Sequence, residues 1–109
     1  MKNTTRRRLA QMVNRIVSLF NPDQIILFGS QARGDAKTDS DLDLLVVMPV
    51  KNGKRRKQVE IRTALHGIPG PKDIIVTTPE EFAWRKEIVG TIEHPAAKEG
   101  RVVYDRRQR

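Results

Sequence analysis

The sequence predicts an α/β (α+β) protein, a mixed β-sheet of about four strands flanked by helices. Two observations predict it. Segments with apolar residues at helical spacing alternate with short runs of Ile, Leu and Val of strand length, in the order αβαβαβαβ. The strand runs are almost continuously apolar, which suits strands covered by helices rather than strands with one wet face.

Taken in order, Leu9, Val13, Ile16, Val17 and Phe20 predict an amphipathic helix over residues 5–20, ended by Asn21-Pro22-Asp23. Gln24-Ile25-Ile26-Leu27-Phe28 follows as a strand closed by Gly29. Ser30 is then placed as the N-cap of a short helix over 31–33, and residues 34–40 form a polar turn. Asp41 to Met48 reads as the second strand, closed by Pro49. Val59, Ile61 and Leu65 give a helix over 54–65 with Gly67 as its stop, and residues 68–71 are irregular. Lys72 to Thr77 is the third strand. Thr78-Pro79-Glu80-Glu81 combines a hydroxyl cap, a first-turn proline and two acids at the positive end of the dipole. It predicts a helix over 79–98 with a break near Gly90 or His94-Pro95, before a last strand over 101–104. One domain spanning 1–109 is expected from the length.

Composition narrows the function. The chain has no cysteine, so disulfides and thiolate metal sites are excluded, and a reducing, cytoplasmic setting is expected. No apolar run approaches the roughly 20 residues of a membrane span, and the basic N-terminus is not followed by a signal core. The formal charge is +8, from 21 Lys and Arg against 13 Asp and Glu. The basic residues gather at Arg6-Arg7-Arg8, Lys51, Lys54-Arg55-Arg56-Lys57 and Arg106, Arg107 and Arg109. Each run is either a solvated face or an attractor of polyanions such as a triphosphate, RNA or an acidic partner. One Trp, one Tyr and three Phe offer little for base stacking, so extended single-strand binding is not favoured.

The chemistry concentrates between Leu27 and Val47. Gly29-Ser30 is followed after ten residues by Asp41-Leu42-Asp43. Strand residues two apart share a face, so Asp41 and Asp43 project together while Leu42 and Leu44 turn to the core. Like charges so placed repel, and need either water or a cation. Asp73 opens another apolar strand, Asp73-Ile74-Ile75-Val76. Carboxylates at one sheet edge suit Mg²⁺, which takes one or two carboxylates together with phosphate oxygens and waters. A glycine before a helix start lets backbone approach an anion, and Ser30 adds a hydroxyl; the Gly-x-x-x-x-Gly-Lys-Ser/Thr loop is absent.

On these residues the chain resembles a minimal nucleotidyltransferase of the DNA polymerase beta-like superfamily. Gly29, Ser30, Asp41, Asp43 and Asp73 match that family's pattern, as does the wording of Ala32-Arg33-Gly34, Ser40-Asp41 and Thr78 to Phe82. The resemblance runs from about Ile25 to Phe82 and implies the polymerase beta-like nucleotidyltransferase fold. It also implies that Asp41 and Asp43 hold two Mg²⁺ ions, and that Asp73 binds the ion near the acceptor and helps to activate its hydroxyl. Gly29 and Ser30 would grip the β- and γ-phosphates of ATP or another nucleoside triphosphate. Arg33 is either a phosphate contact or the ion-pair partner of Asp35 or Asp39.

Some relatives carry an additional helical domain that shapes the acceptor site, and none is expected here. The acceptor is therefore expected on a partner chain, on a second copy or on a protein substrate. The resemblance also brings in a toxin–antitoxin pairing, in which the nucleotidyltransferase is the antitoxin and adenylylates a tyrosine of a HEPN-domain partner. Two other readings stand beside it: a non-catalytic module that neutralises its partner by binding, and nucleotidyl transfer to RNA. Elsewhere Lys72 is expected at the surface, His66 at a helix end, His94 in a loop, and Trp84 in the core or at a partner surface. Tyr104 reads as a strand aromatic open to modification, and neither histidine has metal spacing.

Overall fold

The computed structural model describes residues 1–34 and 41–108. Four strands form one mixed sheet: β1 (Gln24–Phe28), β2 (Leu42–Val47), β3 (Lys72–Thr77) and β4 (Arg101–Asp105), in the spatial order β3-β2-β1-β4. β1 is antiparallel to both β2 and β4, whereas β2 and β3 run parallel. A parallel pair needs a crossover, and α3 (Lys54–Ala64) supplies it. The other helices are α1 (Asn3–Phe20), α2 (Ser30–Arg33), α4 (Pro79–Arg85) and α5 (Glu93–Glu99). The expected mixed, helix-flanked sheet is the observed one.

Two apolar clusters divide the core. Met12 and Ile16 of α1 and Ile61 of α3 pack with Ile25, Leu27, Leu42, Leu44, Val46, Ile74 and Val76. Ala96 of α5 and Phe82 of α4 pack with Ile26, Phe28, Leu45, Val47 and Ile75. Successive strand residues therefore alternate between the clusters, as the pleat requires. Within α1 the stripe centres on Met12 and Ile16, both fully buried; Leu9, Val13, Val17 and Phe20 flank it. Asn21 ends the helix in the left-handed conformation (φ 48°), its N–H bonded to Val17 O at 3.1 Å.

Of the two places where the helix over 79–98 was expected to break, the structure uses the first: α4 and α5 are separated by residues 86–92, with Gly90 (φ 102°) inside the break. His94-Pro95 does not break a helix but lies in the first turn of α5, where the missing N–H of proline costs no hydrogen bond. His94 is accordingly helical, with Nδ1 2.9 Å from Lys86 O. Thr78 caps α4 as expected, accepting from Glu81 N–H at 3.1 Å. Trp84 is exposed rather than in the core, and Ile88, Val89 and Ile92 are exposed after it. His66 is exposed just beyond α3; the cation on that helix end is Arg15, which donates to Ala64 O and His66 O. Lys72 is half-buried, not a surface residue, and pins the preceding turn by donating to Ile68 O and Gly70 O. The hydroxyl of Tyr104 is buried, which shields it from modification.

Glu93, a residue without a motif, holds the helical cover in place. Its side chain is 3% exposed; Thr77 Oγ1 donates to Oε2 at 2.7 Å and Arg85 Nε to Oε1 at 3.0 Å. One carboxylate thus joins β3, α4 and α5. Burial pushes its pKa up, but the bonds from Thr77 and Arg85 outweigh burial and hold it below the ordinary carboxylate value. Glu93→Ala is expected to destabilise the protein by about 2–3 kcal/mol in denaturant unfolding, because it strands both donors. Since the folded pKa is depressed, the contribution is complete above about pH 4.5 and fades as pH falls through the folded value. The stability gap between wild type and Glu93→Gln should therefore close on acidification below pH 4.5.

Candidate active site

The site lies where β1 ends and β2 and β3 begin. Asp73, Ile75 and Thr77 share one face of β3, and along it the cover thickens. Asp73 is 48% exposed, Ile75 is partly buried, and Thr77 is fully buried beneath Glu93. On β2 the same face carries Asp43, then Leu45 and Val47 in the apolar cluster. The parallel register sets Asp43 directly beside Asp73, and the antiparallel register sets Phe28 on the other side of Asp43. Among the described residues, the two carboxylates therefore stand at the more exposed end of a sheet face whose other end is packed.

Gly29, immediately after Phe28, completes this corner. Its φ of 74° favours glycine, and a Cβ there would collide with Asp43 Oδ2 and stand 3.2 Å from Asp43 Cγ. Gly29 rather than Ser30 is the N-cap of α2; Ser30 is the first helical residue and makes no side-chain cap bond. Ala32 and Arg33 N–H close onto Gly29 O at 3.1 and 3.2 Å, and Gly34 N–H onto Ser30 O at 3.0 Å. Asp41 is exposed and lies one residue before β2 rather than within it, its position fixed by the Leu42 N–H to Pro71 O bond of 3.2 Å. Arg33 is exposed, with Nη1 3.9 Å from Glu99 Oε2, a pairing the sequence did not suggest. Its expected partners Asp35 and Asp39 lie outside the described residues.

The electrostatics follow from the placement. Asp43 has a raised pKa, first through burial and then through the charges of Asp73 and Asp41; Arg33 pulls the other way. Asp73 is contacted by a residue that the motif did not include: Arg62 in the last turn of α3 donates Nη2 to Asp73 Oδ1 at 3.2 Å. A basic residue at the end of the crossover helix was visible in the sequence, but its reach to β3 was not. Among the described residues no three acidic or imidazole groups converge to cage a metal by themselves. The donor set still fits Mg²⁺, which needs only one or two carboxylates when phosphate oxygens and water complete its shell. The mutual repulsion recorded at Asp43 is what such a cation would relieve.

Two consequences are measurable. Gly29→Ala should lower stability by about 1–3 kcal/mol in chemical unfolding, from a strained φ and displacement of Asp43. Asp43→Asn should instead raise the unfolding stability of the metal-free protein at pH 7, by under about 1 kcal/mol because much of the group stays in water. A raised folded pKa makes the carboxylate costly above that value, so the gain should vanish below about pH 3.8, where Asp43 is protonated in both states.

Comparison with known proteins places the fold. In overall structure the chain is similar to a candidate nucleotidyltransferase from Sulfolobus solfataricus, with 22% identity and a TM-score of 0.66 over 99% of this chain and 92% of that one. It is also similar to a chain of a toxin–antitoxin complex solved with AMP-PNP, at 16% identity and a TM-score of 0.51, over 98% of this chain and 77% of the other. At these identities the likeness is one of fold. No curated protein matches the chain. The family model described as a nucleotidyltransferase domain matches residues 8–97, a span that takes in Gly29, Ser30, Asp41, Asp43 and Asp73. The chain belongs to the nucleotidyltransferase-domain family.

Proposed function

We propose that this protein transfers a nucleoside monophosphate, AMP foremost, from a nucleoside triphosphate to an acceptor hydroxyl. The observation that carries the reading is the pairing of Asp43 with Asp73 at an open sheet end, against a glycine too close to Asp43 to carry a side chain. Asp41 and Asp43 would hold Mg²⁺, with Asp73 beside them on the acceptor side. Bound there, the metal would neutralise the triphosphate and the charge that builds on its leaving oxygens. Gly29 and Ser30 present backbone and hydroxyl donors for the β- and γ-phosphates, and Arg33 adds positive charge at the same corner. The acceptor oxygen attacks the α-phosphorus as the bond to the β-phosphate oxygen breaks. Pyrophosphate leaves, and Asp73 accepts the hydroxyl proton directly or through water.

The acceptor we assign to a second protein, a tyrosine of a HEPN-type toxin partner, with this chain as the antitoxin. Support comes from the sequence resemblance and from the shared fold with a chain of a toxin–antitoxin complex. The exposed side of Asp73, 48% of whose side chain is open, is the side from which such an acceptor would approach.

Incubation with α-phosphate-labelled ATP, Mg²⁺ and a HEPN-type partner should label the partner. The Asp41→Ala, Asp43→Ala double variant should lose about 1,000-fold or more, the several kcal/mol that metal stabilisation supplies. Equal labelling by the double variant would sink the assignment. Tight partner binding without Mg²⁺-dependent ATP binding would favour a non-catalytic antitoxin, and labelled RNA in place of protein would redirect the acceptor.

A further inference from the structure

Arg62 is the one cation that the described structure records in a hydrogen bond to a carboxylate of the motif. Its Nη2 lies 3.2 Å from Asp73 Oδ1, in a cluster where Asp73 and Asp41 both act on Asp43 as like charges. The bond is not needed to seat α3. Ile61 is already fully buried, and the Val76 N–H donates to Gln58 Oε1 at 2.9 Å, so the helix is tied to β3 independently. The pair is also weakly held: the side chains of Arg62 and Asp73 are 53% and 48% exposed, where water competes for both ions. A divalent cation at this cluster would seek the same carboxylate.

We propose that Arg62 is a positioning residue that serves as the site's built-in counter-ion. It neutralises Asp73 in the nucleotide-free protein and gives up Asp73 Oδ1 when a divalent cation enters. The exchange breaks one charge-assisted hydrogen bond on the surface and moves no backbone, so it lets the site rest without metal yet load readily. This rests on the nucleotidyl-transfer reading of the same carboxylates.

The test uses the nucleotide-free protein with Mn²⁺ as the probe, free Mn²⁺ being read by electron paramagnetic resonance. Arg62→Gln should bind Mn²⁺ about two- to five-fold more tightly than wild type. Arg55→Gln, which removes the same charge from the opposite end of α3, should leave affinity unchanged. Arg62→Lys, which keeps the charge but not the planar fork, should fall between wild type and Arg62→Gln. Unchanged or weaker Mn²⁺ binding in Arg62→Gln would overturn the inference, as would an equal gain in Arg55→Gln, since bulk charge would then explain it. Mn²⁺ binding by wild type that Asp43→Asn fails to weaken would overturn the nucleotidyl-transfer reading itself, and the inference with it. A melting-temperature drop in Arg62→Gln without any gain in Mn²⁺ affinity would mark the contact as a structural tie and overturn the proposal.

Discussion

The parallel register of β2 and β3, which sets Asp43 beside Asp73, is the constraint on which the rest of this structure depends. Two carboxylates one strand apart repel, and the fold accepts that cost at a single place. Around it, Asp73 stays about half exposed, Gly29 sits where a side chain would strike Asp43, and Arg62 reaches across to Asp73. The first and last of these ease the charge; the glycine makes room for it. A parallel pair in turn demands a crossover, and α3 is the crossover whose last turn carries Arg62. Topology and electrostatics are therefore joined through one helix.

The opposite end of the same face shows how such a site stays open. Ala96 and Phe82 cover Leu45, Val47 and Ile75, and the buried carboxylate of Glu93 ties Thr77 and Arg85 together beneath them. A buried ion pair adds little net stability over an apolar replacement, but losing one partner is costly. Its effect here is to fix where the helical cover sits. Gly100, at the end of α5, allows that closeness: a Cβ there would come within 2.7 Å of Ile26 Cγ2 and 2.9 Å of Leu27 O. Sealing one end of the sheet face and leaving the other to water lets a 109-residue chain keep both a dry core and a charged cleft.

Local signals were read well from the sequence. The strand runs, the capped start at Thr78 and the Asn21 stop depend on neighbours a few residues apart, and the structure keeps them. What the sequence did not show were the contacts that particular side chains make. His94-Pro95 was one of two places where the helix could break; the break falls at Gly90, and Pro95 sits in the first turn of α5, two residues after the Glu93 that Thr77 and Arg85 hold. Lys72 looked like surface, yet the carbonyls of Ile68 and Gly70 claim its ammonium. Trp84, expected in the core or at a partner surface, is left outside the core, where α4 packs Phe82 instead.

By itself the sequence determined the alternation of helix and strand, the fold class, and the residue types of the proposed site: Gly29-Ser30, Asp41 and Asp43, and Asp73 at a strand start. Those follow from periodicity and spacing, which are local properties of the chain. Only the tertiary structure decided that Asp43 and Asp73 are direct neighbours, that Arg62 pairs with one of them, and that Glu93 anchors the cover at the far end. Strand order and register bring together residues 30 positions apart, and a charge reveals its partner only when the chain has closed around it.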